Sequence, residues 1–265
     1  MYKVAISDLD GTLLGPNHKV SIETKKTVQR WMGNDRKFVI ATGRHYIEAK
    51  NIQDDLGVPM YLISSNGARV HDPKGEIILK QNLPKDIAAS ICKNYVDNEV
   101  QMNLFTDKDW FTNFELPELE AFNLGAGFYC KPTDFKDLDQ SDTIKIFFWG
   151  DRDKLDIIYQ QLHQQFSDRI NLTFSLNRCL EVMDANANKG IAVNFVLNQQ
   201  TIANDEAIAF GDGMNDLEML SEVGTPILMA NAQKDLITAL NDAEMTSSSK
   251  EHGVAVKLNK LMEIE

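Results

Sequence analysis

Three observations predict an α/β fold, with a parallel-sheet core into which an α+β domain is inserted. The strand-like segments at both ends of the chain are almost continuously apolar and alternate with helices, as strands buried on both faces do. That rhythm breaks near Leu83 and resumes near Lys189, with neighbouring strands and few helices between. Polar residues of a few types, Asp8, Thr42, Asn66, Asp212 and Asn231, each stand at or just past the end of an apolar strand.

The first strand, Val4-Ala5-Ile6, leads into Ser7-Asp8-Leu9-Asp10-Gly11-Thr12, where Gly11 permits a tight turn. Ser21 is placed to cap a helix over 22–32, which Gly33-Asn34 ends. A strand over 37–41 runs into Thr42-Gly43-Arg44, and a helix over 46–56 stops at Gly57-Val58-Pro59. The strand over 60–64 precedes Ser65-Asn66-Gly67. From Pro84 the pattern predicts a helix to about 96, strands over 100–105 and 110–114, an acidic segment over 115–120, and then Phe128-Tyr129-Cys130. A strand over 143–149, a helix over 151–166 and strands over 170–174 and 179–183 complete the insert. The core resumes with a helix opened by Asn188-Lys189-Gly190 and a strand over 207–210 ending in Gly211-Asp212-Gly213-Met214-Asn215-Asp216. A helix over 217–223, a strand over 227–230 ending at Asn231, a helix over 234–240 and a terminal helix over 254–262 follow. The expected domains are therefore 1–83 with 185–265, and an insert over 84–184.

With 265 residues the chain has room for two cores. A net charge of -12 argues against nucleic acid, which is bound through accumulated Lys and Arg. No apolar run approaches the roughly 20 residues of a membrane span, and no signal peptide is expected. Three widely spaced cysteines, Cys92, Cys130 and Cys179, fit reduced thiols and a cytoplasmic setting. Monomer and homodimer are both compatible with the sequence. His45 and His252 lie near turns, where surface or capping roles outweigh ligand contact, and Trp110 belongs to core or sheet surface before it belongs to a ligand.

Asp8 and Asp10, two positions apart where the backbone leaves the sheet, can point into one crevice. An Asp-rich turn is the ordinary alternative, as a turn or cap is for Thr42, Asn66 and Asn231, and a solvated helix start for Lys189. In a parallel sheet, however, these strand ends share one edge, where open α/β sheets bind ligands. The residue types support phosphoryl transfer through an aspartyl intermediate. If Asp8, Asp10, Asp212 and Asp216 converge on a phosphate dianion, each like-charged pair near 4 Å costs roughly 4 kcal/mol at an effective dielectric of about 20. Lys189 supplies one compensating charge and Arg44 a second. A hard divalent ion held by carboxylates, water and a phosphate oxygen supplies the rest, which points to Mg2+.

Asp8-Leu9-Asp10-Gly11-Thr12, Ala41-Thr42-Gly43-Arg44, Lys189-Gly190 and Gly211-Asp212-Gly213-Met214-Asn215-Asp216 resemble, in order, the four motifs of the haloacid dehalogenase-like phosphatase superfamily. The insert between Asn66 and Lys189, with Ser65-Asn66-Gly67-Ala68, is similar to the Cof-type group and its large α+β cap. The resemblance implies a Rossmann-like core and a small-molecule phosphate monoester as substrate. It implies that Asp8 is the nucleophile and Asp10 the acid and base. Thr42, Gly43 and Lys189 would hold the phosphoryl group, with Leu9, Arg44, Asn66 and Asn215 as further phosphate-site candidates. It assigns Mg2+ to the carboxylates of Asp8 and Asp212, the backbone carbonyl of Asp10 and, less directly, Asp216. A phosphotransferase or mutase would use the same intermediate. A receiver-type signalling domain would need neither Asp10 nor a cap, and an inactive binding protein would not need every motif intact.

Overall fold

The alternation of side chains along each core strand decides the architecture. In β1 (Val4–Ser7), Val4 and Ile6 enter one buried cluster while Ala5 enters another on the opposite face. The same division holds for β2 (Lys37–Ala41), β3 (Tyr61–Ser64), β12 (Ala207–Gly211) and β13 (Thr225–Met229). Strands buried on both faces need helices on both. The computed structural model describes residues 1–96, 99–115 and 127–264, which form two compact units, Met1–Leu79 with Asn188–Glu265 and Lys80–Ala187. The acidic segment expected over 115–120 lies, past Glu115, outside the described residues.

In the first unit, α1 (Ile22–Gly33), α2 (Tyr46–Leu56) and α8 (Gly253–Ile264) cover one face through Val28, Trp31, Leu56 and Leu258. The other face is covered by α5 (Lys189–Gln199), α6 (Leu217–Glu222) and α7 (Lys234–Ala239) through Val193, Val196, Leu220 and Leu236. Local signals set the helix ends: the Ser21 side chain accepts from the Thr24 amide at 3.0 Å, and Gly57, at φ 74°, closes α2 in the left-handed region.

The sheet contains three further strands, β4 (Arg69–His71), β5 (Ile77–Lys80) and β14 (Glu244–Thr246), of which β5, with its Ile-Ile-Leu run, carries an apolar signal that the sequence reading passed over. The full order is β14-β13-β12-β1-β2-β3-β4-β5. Pairing is parallel from β14 to β3, but β4 returns antiparallel beside β3, so the sheet is mixed rather than purely parallel. β4 and β14 take their conformation from a neighbour already in place, and their own composition says little. The consequence for function is positional. β1 pairs with both β2 and β12, so Asp8 emerges between the strands that end in Thr42 and Asp212.

Among the described residues, the second unit carries a six-stranded sheet in the order β10-β11-β9-β6-β7-β8, comprising β6 (Gln101–Phe105), β7 (Trp110–Thr112), β8 (Cys130–Pro132), β9 (Lys145–Trp149), β10 (Ile170–Leu176) and β11 (Cys179–Asp184). Pairing is antiparallel except between β7 and β8, which run parallel. One face packs Met102, Ile146, Phe148 and Val182 against α3 (Lys85–Asn94) and α4 (Arg152–Phe166). Trp110 is buried, its ring against Phe105, Phe128 and Phe147 and its indole N–H donating to Asn103 Oδ1 at 2.7 Å. The three cysteines are buried, and burial pushes the Cys92 and Cys179 thiols up to about 12. Among the described residues, no helix is long and apolar enough to cross a membrane.

Candidate active site

The Asp8 backbone leaves β1 still tied to the sheet, its amide donating to the Phe210 carbonyl at 3.1 Å. Leu9 then drives its side chain into the core, leaving only its backbone for a ligand. At Gly11, φ is 78°, and a Cβ there would lie 2.2 Å from Asp212 Oδ2, so conformation and close approach both require glycine. Thr12 Oγ1 donates to Asp212 Oδ1 at 2.8 Å. Asn231 Nδ2 donates to the Gly11 carbonyl at 2.8 Å and to Asp212 Oδ2 at 3.3 Å. Gly11→Ala is therefore expected to lower the unfolding free energy by about 1–3 kcal/mol through backbone strain and to displace Asp212. Calorimetric Mg2+ titration beside thermal unfolding measures both effects.

Lys189 is the first residue of α5, whose start Asn188 caps by accepting from the Ile191 amide at 2.8 Å. Its side chain is 0% exposed, and its Nζ donates to Asp8 Oδ1 at 2.6 Å and to Asp216 Oδ1 at 2.5 Å. The other oxygen of Asp216 accepts from the Asp212 and Gly213 amides at 2.9 and 3.0 Å. Asp216 thus aims Lys189 and holds the loop that carries Asp212. Each of Asp8, Asp212 and Asp216 offers an oxygen within 4.8 Å of the others.

Burial drives the Asp8 carboxyl well above the usual carboxylate range, with Asp216 and Asp10 adding to the rise and Lys189 opposing it. Burial works the other way on Lys189, but Asp216 and Asp8 more than offset it and hold the ammonium above its ordinary value. Asp212 is pushed up to about 6, chiefly by burial; the Thr12 hydrogen bond opposes the rise and Asp216 adds to it. Three carboxylates around one ammonium leave two formal negative charges in little solvent. Hard oxygen donors with that excess fit a small divalent cation such as Mg2+.

Asp10 is half-exposed and points to a different partner. Arg44 grips it with two donors, Nε to Oδ2 at 2.7 Å and Nη2 to Oδ1, and His18 Nδ1 lies 3.3 Å from Oδ1. Burial would raise Asp10, but the Arg44 and His18 contacts together hold it below the usual range. Thr42 is buried, and its Oγ1 accepts from the Arg44 amide at 3.1 Å. Asn215 Nδ2 donates to Asn66 Oδ1 at 3.1 Å, and a Cβ on Gly43 would lie 2.9 Å from that same oxygen.

The structure thus gathers Asp8, Lys189, Asp212 and Asp216 into one cluster, pairs Asp10 with Arg44, and joins Asn66 to Asn215 beside Gly43. His45 caps α2, its Nδ1 accepting from the Ile47 amide at 3.2 Å, and His252 occupies a left-handed turn at φ 59°. Sequence reasoning missed the hold of Thr12 and Asn231 on Asp212 and the contact of His18 with Asp10. Thr12 lies within the first motif and Asn231 at a strand end, but neither position reveals a bond to a residue some 200 or 19 places away.

Comparison with known proteins gives concordant findings. The sequence profile of the haloacid dehalogenase-like hydrolases matches residues 5–258. An HMP-PP phosphatase of Serratia proteamaculans (strain 568) is 36% identical over 257 residues, which span 96% of this chain and 93% of that protein. The structure of a haloacid dehalogenase-like hydrolase from B. subtilis superposes with a TM-score of 0.86 at 26% identity, covering 97% of this chain and 99% of the other. A HAD subclass IIB sugar phosphatase shares the fold at a TM-score of 0.81 and 18% identity, covering 98% of each chain.

Proposed function

The chain belongs to the haloacid dehalogenase-like hydrolases, and we propose that it is a Mg2+-dependent phosphatase acting on small phosphorylated metabolites, sugar phosphates or pyridoxal phosphate, through an aspartyl-phosphate on Asp8. The observation that carries this reading is the buried Lys189 ammonium between Asp8 and Asp216, beside the Asp8, Asp212 and Asp216 oxygens. The two negative charges this cluster leaves over are balanced by one divalent cation, which then offers its own positive charge to a phosphate oxygen beside Asp8.

In the first half-reaction Asp8 attacks phosphorus, an Asp8–phosphorus bond forms, and the bond to the leaving oxygen breaks as Asp10 delivers a proton to it. In the second, Asp10 takes a proton from the water that displaces Asp8 and frees inorganic phosphate. Bound to Arg44, Asp10 is the anion, the form the second half needs, and the proton it gains there from water is the one it delivers to the leaving oxygen in the next turnover. Lys189, the Thr42 hydroxyl, the Leu9 and Gly43 amides and Asn215 hold the phosphoryl oxygens, where positioning and electrostatics do most of the work. The carboxylates of Asp8 and Asp212 and the Asp10 carbonyl would hold Mg2+, with Asp216 behind them. The chemistry a bound Mg2+ supplies is positive charge against the transferring phosphoryl group.

The 36% identical relative is an HMP-PP phosphatase and one fold neighbour is a sugar phosphatase, so the substrate panel should hold HMP-PP, sugar phosphates and pyridoxal phosphate. The unit Lys80–Ala187 serves as the cap that selects among them, and the buried thiols suit a cytoplasmic setting. Release of inorganic phosphate from at least one panel member, ranked by kcat/KM and dependent on Mg2+, is the expected result. Transfer to an added acceptor sugar in place of release would identify a phosphotransferase instead.

A pH dependence follows from Asp212. Below about 6 its carboxylate carries a proton that Mg2+ must displace. Calorimetric titration of Mg2+ should show affinity falling as pH drops from 7.5 to 5, with proton release in that window; affinity constant over that range contradicts the assignment.

A further inference from the structure

The turn after β3 is strained to a degree its length does not require. Ser65 and Asn66, two consecutive residues with side chains, stand at φ 48° and 51°, and Gly67 follows at 95°. The hydroxyls of Ser64 and Ser65 are buried with no hydrogen-bond partner among the described residues. Such a conformation persists where its surroundings over-determine it, and here they are the neighbouring site loops. The Ser65 amide donates to the Arg44 carbonyl at 2.8 Å and the Asn66 amide to the Thr42 carbonyl at 2.9 Å. The Asn66 side chain accepts from Asn215 and sits where a Cβ on Gly43 would have to go. A Cβ on Gly67 would lie 2.2 Å from the Asn188 carbonyl oxygen and 3.2 Å from the Lys189 amide nitrogen.

One turn therefore touches every segment assigned to the phosphoryl group beyond the Asp8 loop: Thr42-Gly43-Arg44, the start of α5 at Lys189, and Asn215. We infer that Ser65-Asn66-Gly67 is the positioning element of the phosphate-binding side, and that Asn66 acts through Asn215 and Gly43 instead of touching substrate. This rests on the phosphatase reading above. A side-chain amide suits the task because it tolerates the left-handed region and offers an acceptor to Asn215 without adding charge beside a phosphate.

The test is a double-mutant cycle on the full chain with Mg2+ and para-nitrophenyl phosphate, using Asn66→Gly, Asn215→Ala and both together. Glycine adopts the positive φ without strain, so Asn66→Gly should unfold close to the wild-type temperature. Its kcat should nonetheless fall about 10- to 100-fold with KM changed less than about threefold, and Asn215→Ala should behave alike. The double variant should lose less than the product of the two single losses, because the Asn66–Asn215 contact is counted in both. Wild-type kcat in Asn66→Gly would reduce the residue to a turn former, and additive losses in the double variant would make it an independent substrate contact; either overturns the inference. If the wild-type chain hydrolyses no ester, the phosphatase reading falls instead. The same cycle, read on the thermal shift caused by orthophosphate with Mg2+, then decides the role of the turn: coupled losses support it and additive losses refute it.

Discussion

Asp8→Asn is expected to abolish turnover, by at least about 10³-fold, while leaving the chain folded, because an amide is no nucleophile yet still offers Lys189 an oxygen. The stability effect has a definite sign. Burial raises the Asp8 carboxyl above its unfolded value, so the folded state binds a proton more readily than the unfolded one. Stability tied to that proton is present at low pH and is lost as pH rises from the ordinary carboxylate value, 3.8, through the raised folded one. The neutral Asn escapes that loss. In chelator at pH 7.5, Asp8→Asn should therefore unfold at or above the wild-type temperature, with the difference closing toward pH 4. Steady-state hydrolysis beyond that of deamidated protein would remove Asp8 from the role of nucleophile.

Lys189→Met carries the second large effect, on folding as well as rate. The ammonium is fully buried between two carboxylates, and removing one partner of such a cluster costs about 3–5 kcal/mol, because the remaining charges have neither water nor a counter-ion. Loss of its donation to the phosphoryl group should lower kcat by about 10²–10³ in whatever protein remains folded. Without Lys189, Asp8 loses the charge that opposes the rise of its carboxyl and takes a proton more readily. The deficit should thus be largest near neutral pH and shrink as pH falls toward 5. Denaturant unfolding at pH 7.5 and 5 measures this, and an equal deficit at both would show that packing and not charge governs the position.

The core was legible because local and long-range signals agree there. The helix over 46–56 has a cap on one side and Gly57 on the other, and α2 has those bounds; the strand over 37–41 is apolar throughout, and β2 follows it. Where a segment takes its shape from a neighbour, the signal is absent. Arg69-Val70-His71 and Glu244-Met245-Thr246 look like loop and become strands only by pairing. The site shows the same division. The residue types at the strand ends announce a crevice full of carboxylates, but spacing alone does not say which carboxylate does what. Asp216, expected beside the metal, commits both oxygens to Lys189 and to the loop amides. Arg44, expected as charge for the phosphate, is engaged by Asp10. Such partnerships join residues far apart in the chain, and only the folded backbone brings them within reach.

The central claim is that phosphate passes through Asp8. Its most direct test is a rapid acid quench of the first turnover with a ³²P-labelled phosphate monoester and Mg2+, using the wild-type chain and Asp10→Asn, followed by peptide mapping. The account predicts an acid-stable, hydroxylamine-labile label on the peptide containing Asp8, longer-lived in Asp10→Asn because water is no longer activated. Hydrolysis through the first turnover with no label on the protein, or with the label on another peptide, would contradict it.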